Sequence, residues 1–345
     1  MRNIYSFTFK EFEEKVVELN LKKFVASQVF EWVYKQYVNN WDKMTNLSQE
    51  VKKILSENIS IGLLEIVEVK KDPDGTVKML YKLEDGNVIE MAIINFEFGW
   101  SGCCSTQIGC NMGCKFCASG LLKKKRNLTS CEIVQEIVGA NKYLKENNLQ
   151  PMGSISFMGI GEPFDNIENV IATVKLLNDK KTLNISTRNF TLSTCGLIDK
   201  LPLIIKELPQ TNVAISLHAP TDEIRSRIMP VNNAFNVKQV IDAAKDYTKK
   251  TRNDITFQYA LMQGINDSNE CAEQLSKLLK DVNCHVTLIE YNENPEFDIH
   301  ASKNVANFKN ILKKNNISFS QRLKRGKDID AACGTMRANY DKSKK

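Results

Sequence analysis

Apolar strand-like runs alternate with amphipathic helix-like runs through most of the chain, and this restricts it to a βα barrel or an open α/β sheet. Thr129 begins one helix, with Glu132 at the reciprocal capping position and Ile133, Val134, Ile137 and Val138 as its buried face. Strands are expected over 154–158, 190–194, 213–218, 255–261 and 285–289. Helices are expected near 168–178, 198–208, 236–249, 268–281 and 302–314. Small and polar residues gather where these strands stop: Gly159, Gly161 and Glu162, then Ser193 and Thr194, then Ser216, Leu217 and His218, and Asn292. Active sites of βα barrels are built at those carboxyl ends, so several such positions together point to a cofactor site.

Residues 1–57 read as a small helical module, in which Thr8 and Glu11 form a capping-box pair and Ser48 caps a third helix. Residues 58–97 change to strand-like runs separated by Asp72-Pro-Asp-Gly75 and Glu84-Asp-Gly86, a β-rich connector. The core is placed at 98–300 and a basic extension at 301–345. The extension carries twelve Lys/Arg against three Asp, whereas the net charge of all 345 residues is only +6. That asymmetry suggests a polyanionic partner for Arg322, Lys324, Arg325 and Lys327 as readily as a solvated tail. No stretch is long and apolar enough for a membrane span, and the start lacks an apolar signal core, so a cytoplasmic protein is expected. Ten cysteines in such a chain read as reduced thiols, cluster ligands or catalytic groups rather than a disulfide framework.

Cys110, Cys114 and Cys117 offer three thiolates at a spacing suited to one metal cluster and supply no fourth. A [4Fe–4S] cluster held by three cysteines keeps one iron open to a small molecule, whereas a structural zinc site is closed and favours paired CxxC units. Zinc completed by Cys103 or Cys104 is the rival. Gly161-Glu162 offers close backbone approach and an acceptor for an ammonium group, although alone it is only a turn. Cys333 lies among polar residues and reads as a reactive thiol; Cys131, Cys195, Cys271 and Cys284 read as structural. Spacing does not decide between Cys103 and Cys104. His285 reads as a packed strand residue and His300 as a surface one.

CxxxCxxC followed by Gly-Glu resembles the radical S-adenosylmethionine superfamily, and further segments narrow the likeness. Residues 106–118, Arg126-Asn-Leu-Thr129, Phe157-Met-Gly-Ile-Gly-Glu-Pro163, Ile215-Ser-Leu-His-Ala-Pro220, Ile228-Met-Pro-Val-Asn232 and Asp328-Ile-Asp-Ala-Ala-Cys-Gly334 are similar to the RlmN/Cfr family of RNA methyltransferases. The likeness runs from the helical module, through Gln28-Val-Phe-Glu-Trp-Val and Met44-Thr-Asn-Leu-Ser, to about residue 340.

The resemblance implies a partial (βα)6 radical SAM barrel and methylation of adenosine C2 in 23S rRNA and in tRNA next to the anticodon. It also implies one cluster, two S-adenosylmethionine molecules per turnover, an electron donor such as flavodoxin or ferredoxin, and a monomer. Adenine C2 is too poor a nucleophile for direct transfer, hence the radical route. Carried over by position, Cys333 becomes an S-methylcysteine from which the radical removes hydrogen, Glu90 accepts the C2 proton, and Cys103 resolves the RNA adduct through a transient disulfide. Gly161, Glu162, Ser193, Ser216, Leu217, His218 and Asn292 become S-adenosylmethionine contacts. Cys104, Cys195 and Thr335-Met336 depart from the family's usual residues. The neighbouring reading is Cfr-type C8 methylation, linked to antibiotic resistance. A non-enzymatic iron–sulfur RNA-binding protein would leave Cys333 and Cys103 without a task, and a peptide-modifying radical enzyme suits the basic segment around Cys333 less well.

Overall fold

A computed structural model describes residues 1–294, 296–322, 325–326, 329 and 335–343, with 341–343 described by backbone alone. The helical module contains α1 (Phe9–Glu18), α2 (Phe24–Phe30) and α3 (Gln49–Asn58). Thr8 and Glu11 form the expected reciprocal cap, and Ser48 accepts the Val51 N–H. Burial of Phe12, Phe30 and Tyr34 in one aromatic cluster, with centroids 5.3 and 5.1 Å apart, joins the first two helices. The chain continues past α2 as one turn of π-helix over Glu31–Lys35.

Ten strands form one sheet. The meander β1 (Glu65–Lys71), β2 (Val77–Lys82), β3 (Val88–Phe96) and β4 (Gly99–Cys103) is antiparallel. Strand β4 then pairs in parallel with β5 (Ser154–Phe157), followed in order by β6 (Phe190–Thr194), β7 (Asn212–Ser216), β8 (Ile255–Leu261), β9 (Cys284–Glu290) and β10 (Phe319–Arg322). Seven parallel strands thus run from β4 to β10, and among the described residues β1 and β10 are the edges, as in a partial barrel. Between them run α4 (Ser130–Glu146), α5 (Ile167–Asn178), α6 (Leu201–Glu207), α7 (Asp222–Ile228), α8 (Val237–Thr251), α9 (Asn269–Leu279) and α10 (Val305–Lys314). Helix α11 (Thr335–Ser343) follows.

Strand β4 and the short α7 are not foreseen from sequence. Glycine is depleted in strands, and β4 reads Gly-Trp-Ser-Gly-Cys. Here Gly102 is demanded by packing: a Cβ would lie 2.6 Å from Met91 Cε and 2.7 Å from Met152 Sδ. Because β4 pairs on both sides, the meander is continuous with the barrel sheet.

Strand parity assigns two faces to the meander. Cross-strand partners Lys78 and Ala92, Leu80 and Glu90, and Ala92 and Cys103 place Lys78, Leu80, Glu90, Ala92 and Cys103 on one face. Met336 of α11 packs there against Leu80 and Val88. Tyr81 and Met91 take the other face, where Tyr81 lies against Gly139 of α4 closely enough that a Cβ would meet its ring at 3.1 Å.

Candidate cluster and cofactor site

The three-cysteine loop leaves a two-residue strand, Gln107–Ile108, and returns through its antiparallel partner, Arg126–Asn127. Backbone bonds pin it: Cys110 N–H donates to the Leu122 carbonyl at 2.8 Å and Lys115 N–H to the Ile228 carbonyl at 2.9 Å. The Tyr291 hydroxyl donates to the Phe116 carbonyl at 3.3 Å. Cys110, Cys114 and Cys117 line a cavity of about 320 Å³ at the carboxyl ends of the parallel strands. Burial pushes the Cys110 thiol up to about 12 and the Cys114 thiol higher, and in both the neighbouring cysteine sulfurs add to the rise. Metal binding therefore has to displace protons from them.

Among the described residues no three His, Cys, Asp or Glu side chains are close enough to grip a single metal ion. A four-iron cubane binds its thiolates on separate irons, and three thiols around one cavity are a donor set that fits it.

The Gly-Glu turn after β5 is locked by Gln107. Gly161 has φ +110°, and a Cβ on it would lie 2.6 Å from Gln107 Cβ, so the close approach requires glycine. Gln107 Oε1 accepts the Glu162 N–H at 2.9 Å while its Nε2 donates to Asp165 and Asn127. Glu162 is buried; its carboxylate accepts the Cys195 N–H at 2.8 Å and the Phe164 N–H at 3.0 Å. Burial nevertheless raises its pKa, and a cation held beside it would favour the ionised carboxylate.

Ser193, Ser216, His218 and Asn292 line the same cavity, as do Gly161 and Glu162. His218 has a left-handed φ of +53°, so β7 ends at Ser216, two residues earlier than expected. Its Nδ1 accepts the Ala260 N–H at 2.9 Å, and burial lowers the imidazole to about 3. It is a neutral pocket residue whose Nε2 keeps the proton. Leu217 does not line the cavity; its side chain is fully buried in the core, and its N–H donates to the Gln258 carbonyl at 3.1 Å. Cys195, read from its sequence surroundings as structural, is on the cavity wall.

Cys103 lines the cavity from the end of β4, together with Ala92. Cys104 points the other way, wholly buried against the core, with its sulfur 3.5 Å from the Ser156 carbonyl oxygen. Cys104→Ser is therefore expected to leave the activity of the site within about twofold of wild type while lowering stability by about 1 kcal/mol; a single-turnover assay and a melting curve check this.

Glu90 is outside the cavity lining. It is buried with Lys78, whose Nζ lies 3.1 Å from its carboxylate, and it accepts the Arg337 N–H of α11 at 3.0 Å. It is no solvent-facing strand residue. Cys333 lies outside the described residues. The described chain on either side of it is held by the meander: Gly326 N–H donates to Asp74 at 2.9 Å, and Arg337 N–H to Glu90.

Comparison with known proteins matches this arrangement from end to end. The Radical SAM superfamily matches residues 104–275, and the "Ribosomal RNA large subunit methyltransferase N-terminal domain" matches 2–61. "Probable dual-specificity RNA methyltransferase RlmN" of Malacoplasma penetrans is 45% identical over 338 residues, covering 98% of this chain and 96% of the relative. The Clostridium novyi protein of the same description is 43% identical, covering 99% of both. The chain belongs to the RlmN family. A crystal structure of a radical SAM methyltransferase from Sphaerobacter thermophilus superposes with a TM-score of 0.93 at 34% identity, covering 97% of this chain and 99% of that one.

As an RlmN-family protein the chain has support residues that motif reading passes over. Fully buried Arg225 on α7 donates to the carbonyls of Cys195 at 2.6 Å and Leu217 at 3.2 Å, tying together the ends of β6 and β7. The available signal is weak, because Arg225 stands four residues before Met229 and Arg227 lies nearer the Met-Pro-Val-Asn run. Among the described residues no helix is long and apolar enough to cross a membrane.

Proposed function

We propose that this RlmN-family protein methylates C2 of adenosine in large-subunit rRNA and in tRNA beside the anticodon, using Cys333 as methyl carrier, Cys103 as resolving thiol and Glu90 as proton acceptor. The observation that carries this reading is the shared face of the meander. Glu90 and Cys103 project from neighbouring strands to one side, Cys103 reaches the cavity of the three cluster thiols, and α11, beginning two residues after Cys333, is bonded to Glu90.

A [4Fe–4S] cluster with one open iron would supply the electron that cleaves bound S-adenosylmethionine. Cys110, Cys114 and Cys117 would hold it. Gly161 would let the backbone approach the cofactor, Glu162 would meet its ammonium group, and Ser193, Ser216, His218 and Asn292 would line its berth. Cys333 would take a methyl from one cofactor molecule, the sulfonium bond breaking as the thiolate bond forms. Once its S-methylene is bonded to adenine C2, release gives up one proton and one electron. The proton passes to Glu90 and the electron to a one-electron acceptor. Cys103 thiolate then bonds the Cys333 sulfur, and the sulfur–carbon pair stays on the methylene, which is protonated to methyl. A dithiol reductant returns two electrons to the disulfide.

Mass spectrometry of RNA digested after anaerobic turnover tests the reading: 2-methyladenosine is expected, whereas 8-methyladenosine alone would move the protein to Cfr-type chemistry. No methylation and no 5′-deoxyadenosine from cluster-loaded protein with RNA present would favour a binding protein instead.

Arg322 and Arg325 also line the cavity, where an RNA base must arrive with its phosphates. Arg322→Gln is expected to weaken RNA binding and to lower the slope of log affinity against log salt by about one, with S-adenosylmethionine binding unchanged. Fluorescence anisotropy across a salt series measures it.

A further inference from the structure

We infer that Lys78 is a positioning residue for release of the methylated base, acting through Glu90; this rests on the proposed role of Glu90 as proton acceptor. Lys78 stands on β2, diagonal to Glu90 on β3, and both side chains are only 2% exposed. A lysine and a glutamate are expensive to bury, and a pair this dry requires matched geometry at both ends. Here the ammonium nitrogen is 3.1 Å from one carboxylate oxygen while the Arg337 N–H takes the other at 3.0 Å. Two donors on different elements thus fix the plane of the Glu90 carboxylate. One comes from β2, a strand paired on both sides, the other from the helix that follows the methyl-carrier segment.

A second set of contacts registers this carboxylate with the rest of the site. The Glu90 main-chain carbonyl accepts the Ser105 hydroxyl at 2.6 Å. That same hydroxyl accepts the Ile160 N–H at 3.2 Å, and the Ser105 N–H donates to buried Glu136 at 3.1 Å. The Glu90 backbone, the segment two residues beyond Cys103 and the Gly159–Gly161 turn are thereby held in one frame. Freezing the Glu90 side chain against Lys78 fixes its oxygens in that frame, at a distance from Cys103 set by the sheet. The step served is a proton transfer: the C2–H bond of the adduct breaks, its electron pair stays on the ring, and the proton goes to a Glu90 oxygen. Lys78 is outside the lining of the cavity that would hold base and cofactor. Its effect is confined to the steps after adduct formation.

The test is a single-turnover experiment with cluster-loaded protein and an RNA substrate, comparing wild type, Lys78→Gln, Glu90→Gln and the double variant. RNA-bound protein and released methylated RNA are followed separately. In Lys78→Gln the adduct is expected to form within about threefold of the wild-type rate, whereas release slows by about 100-fold, in the range of a displaced general base. The double variant should be no slower than Glu90→Gln alone, because Lys78 acts only through that carboxylate. A merely structural role would lower cluster content, adduct formation and release together. Wild-type release by Lys78→Gln, or a proportional loss in all three readouts, overturns the inference. If Glu90→Gln itself releases RNA normally, the role of Glu90 is what fails. Should Lys78→Gln not fold with its cluster, Lys78→Arg replaces it: the charge stays but its donors move, so release should slow at least about tenfold, and normal release would refute the assignment.

Discussion

Cys103→Ala protein should accumulate a covalent protein–RNA adduct and release almost no methylated RNA. Cys103 is on the cavity side of β4, opposite Ala92, while its neighbour Cys104 is buried on the other side of the strand. Successive strand residues point to opposite faces, so no small rotation exchanges the two sulfurs. In the proposed mechanism, methylation of Cys333 and attack on the base do not use Cys103 and should proceed. Only the sulfur that breaks the link is missing, so free product should fall by at least about 100-fold, corresponding to roughly 2.7 kcal/mol in the release barrier. Denaturing gels with labelled RNA read the adduct directly. Normal release would remove Cys103 from the mechanism, and normal release that is then lost in the Cys103→Ala, Cys104→Ala double variant would assign the role to Cys104.

The second large effect is expected in Cys114→Ala. The Cys114 thiol is partly buried between Cys110 and Cys117 in the loop anchored by Ile228 and Tyr291. With two thiolates left, the cluster should not be retained, and 5′-deoxyadenosine formation should drop by at least about a thousandfold, or roughly 4 kcal/mol. Absorption spectra after anaerobic reconstitution and iron analysis give a readout independent of turnover. Cys195 provides the control. It shares the cavity, but its main chain serves Glu162, so Cys195→Ala should keep the cluster. Retention by Cys114→Ala together with loss in Cys195→Ala would reassign the ligands.

The parts of this fold that the sequence reveals are those whose signal is local. Capping boxes at Thr8 and Thr129 depend on residues three apart, and both form as expected. Strands β6 and β8 match their apolar runs at both ends. The cavity is legible for a related reason: its polar residues cluster at strand ends, where an α/β sheet collects them. What escapes is set by partners distant in sequence. Gly102 makes β4 look like a turn because the side chains that need its missing Cβ come from Met91 and Met152. Without β4 the directions of Cys103 and Cys104 cannot be told apart. The burial of Glu90 likewise depends on which strand lies beside it and on α11 covering that face. Leu217 sits in a motif of cavity residues, yet just past the end of β7 its side chain turns into the core.

In the proposed chemistry the anchors at Asp74 and Glu90 shorten the tether on which Cys333 would meet Cys103. Gly326 and Arg337 are both tied to the meander that ends in Cys103, so the two thiols meet at an effective concentration fixed by a short tether, not by diffusion. Under the proposed chemistry, small cellular thiols compete poorly for the RNA adduct even when abundant. They act afterwards, on the disulfide. Lengthening the chain between the anchors should therefore expose the adduct to external thiols before it harms methyl loading.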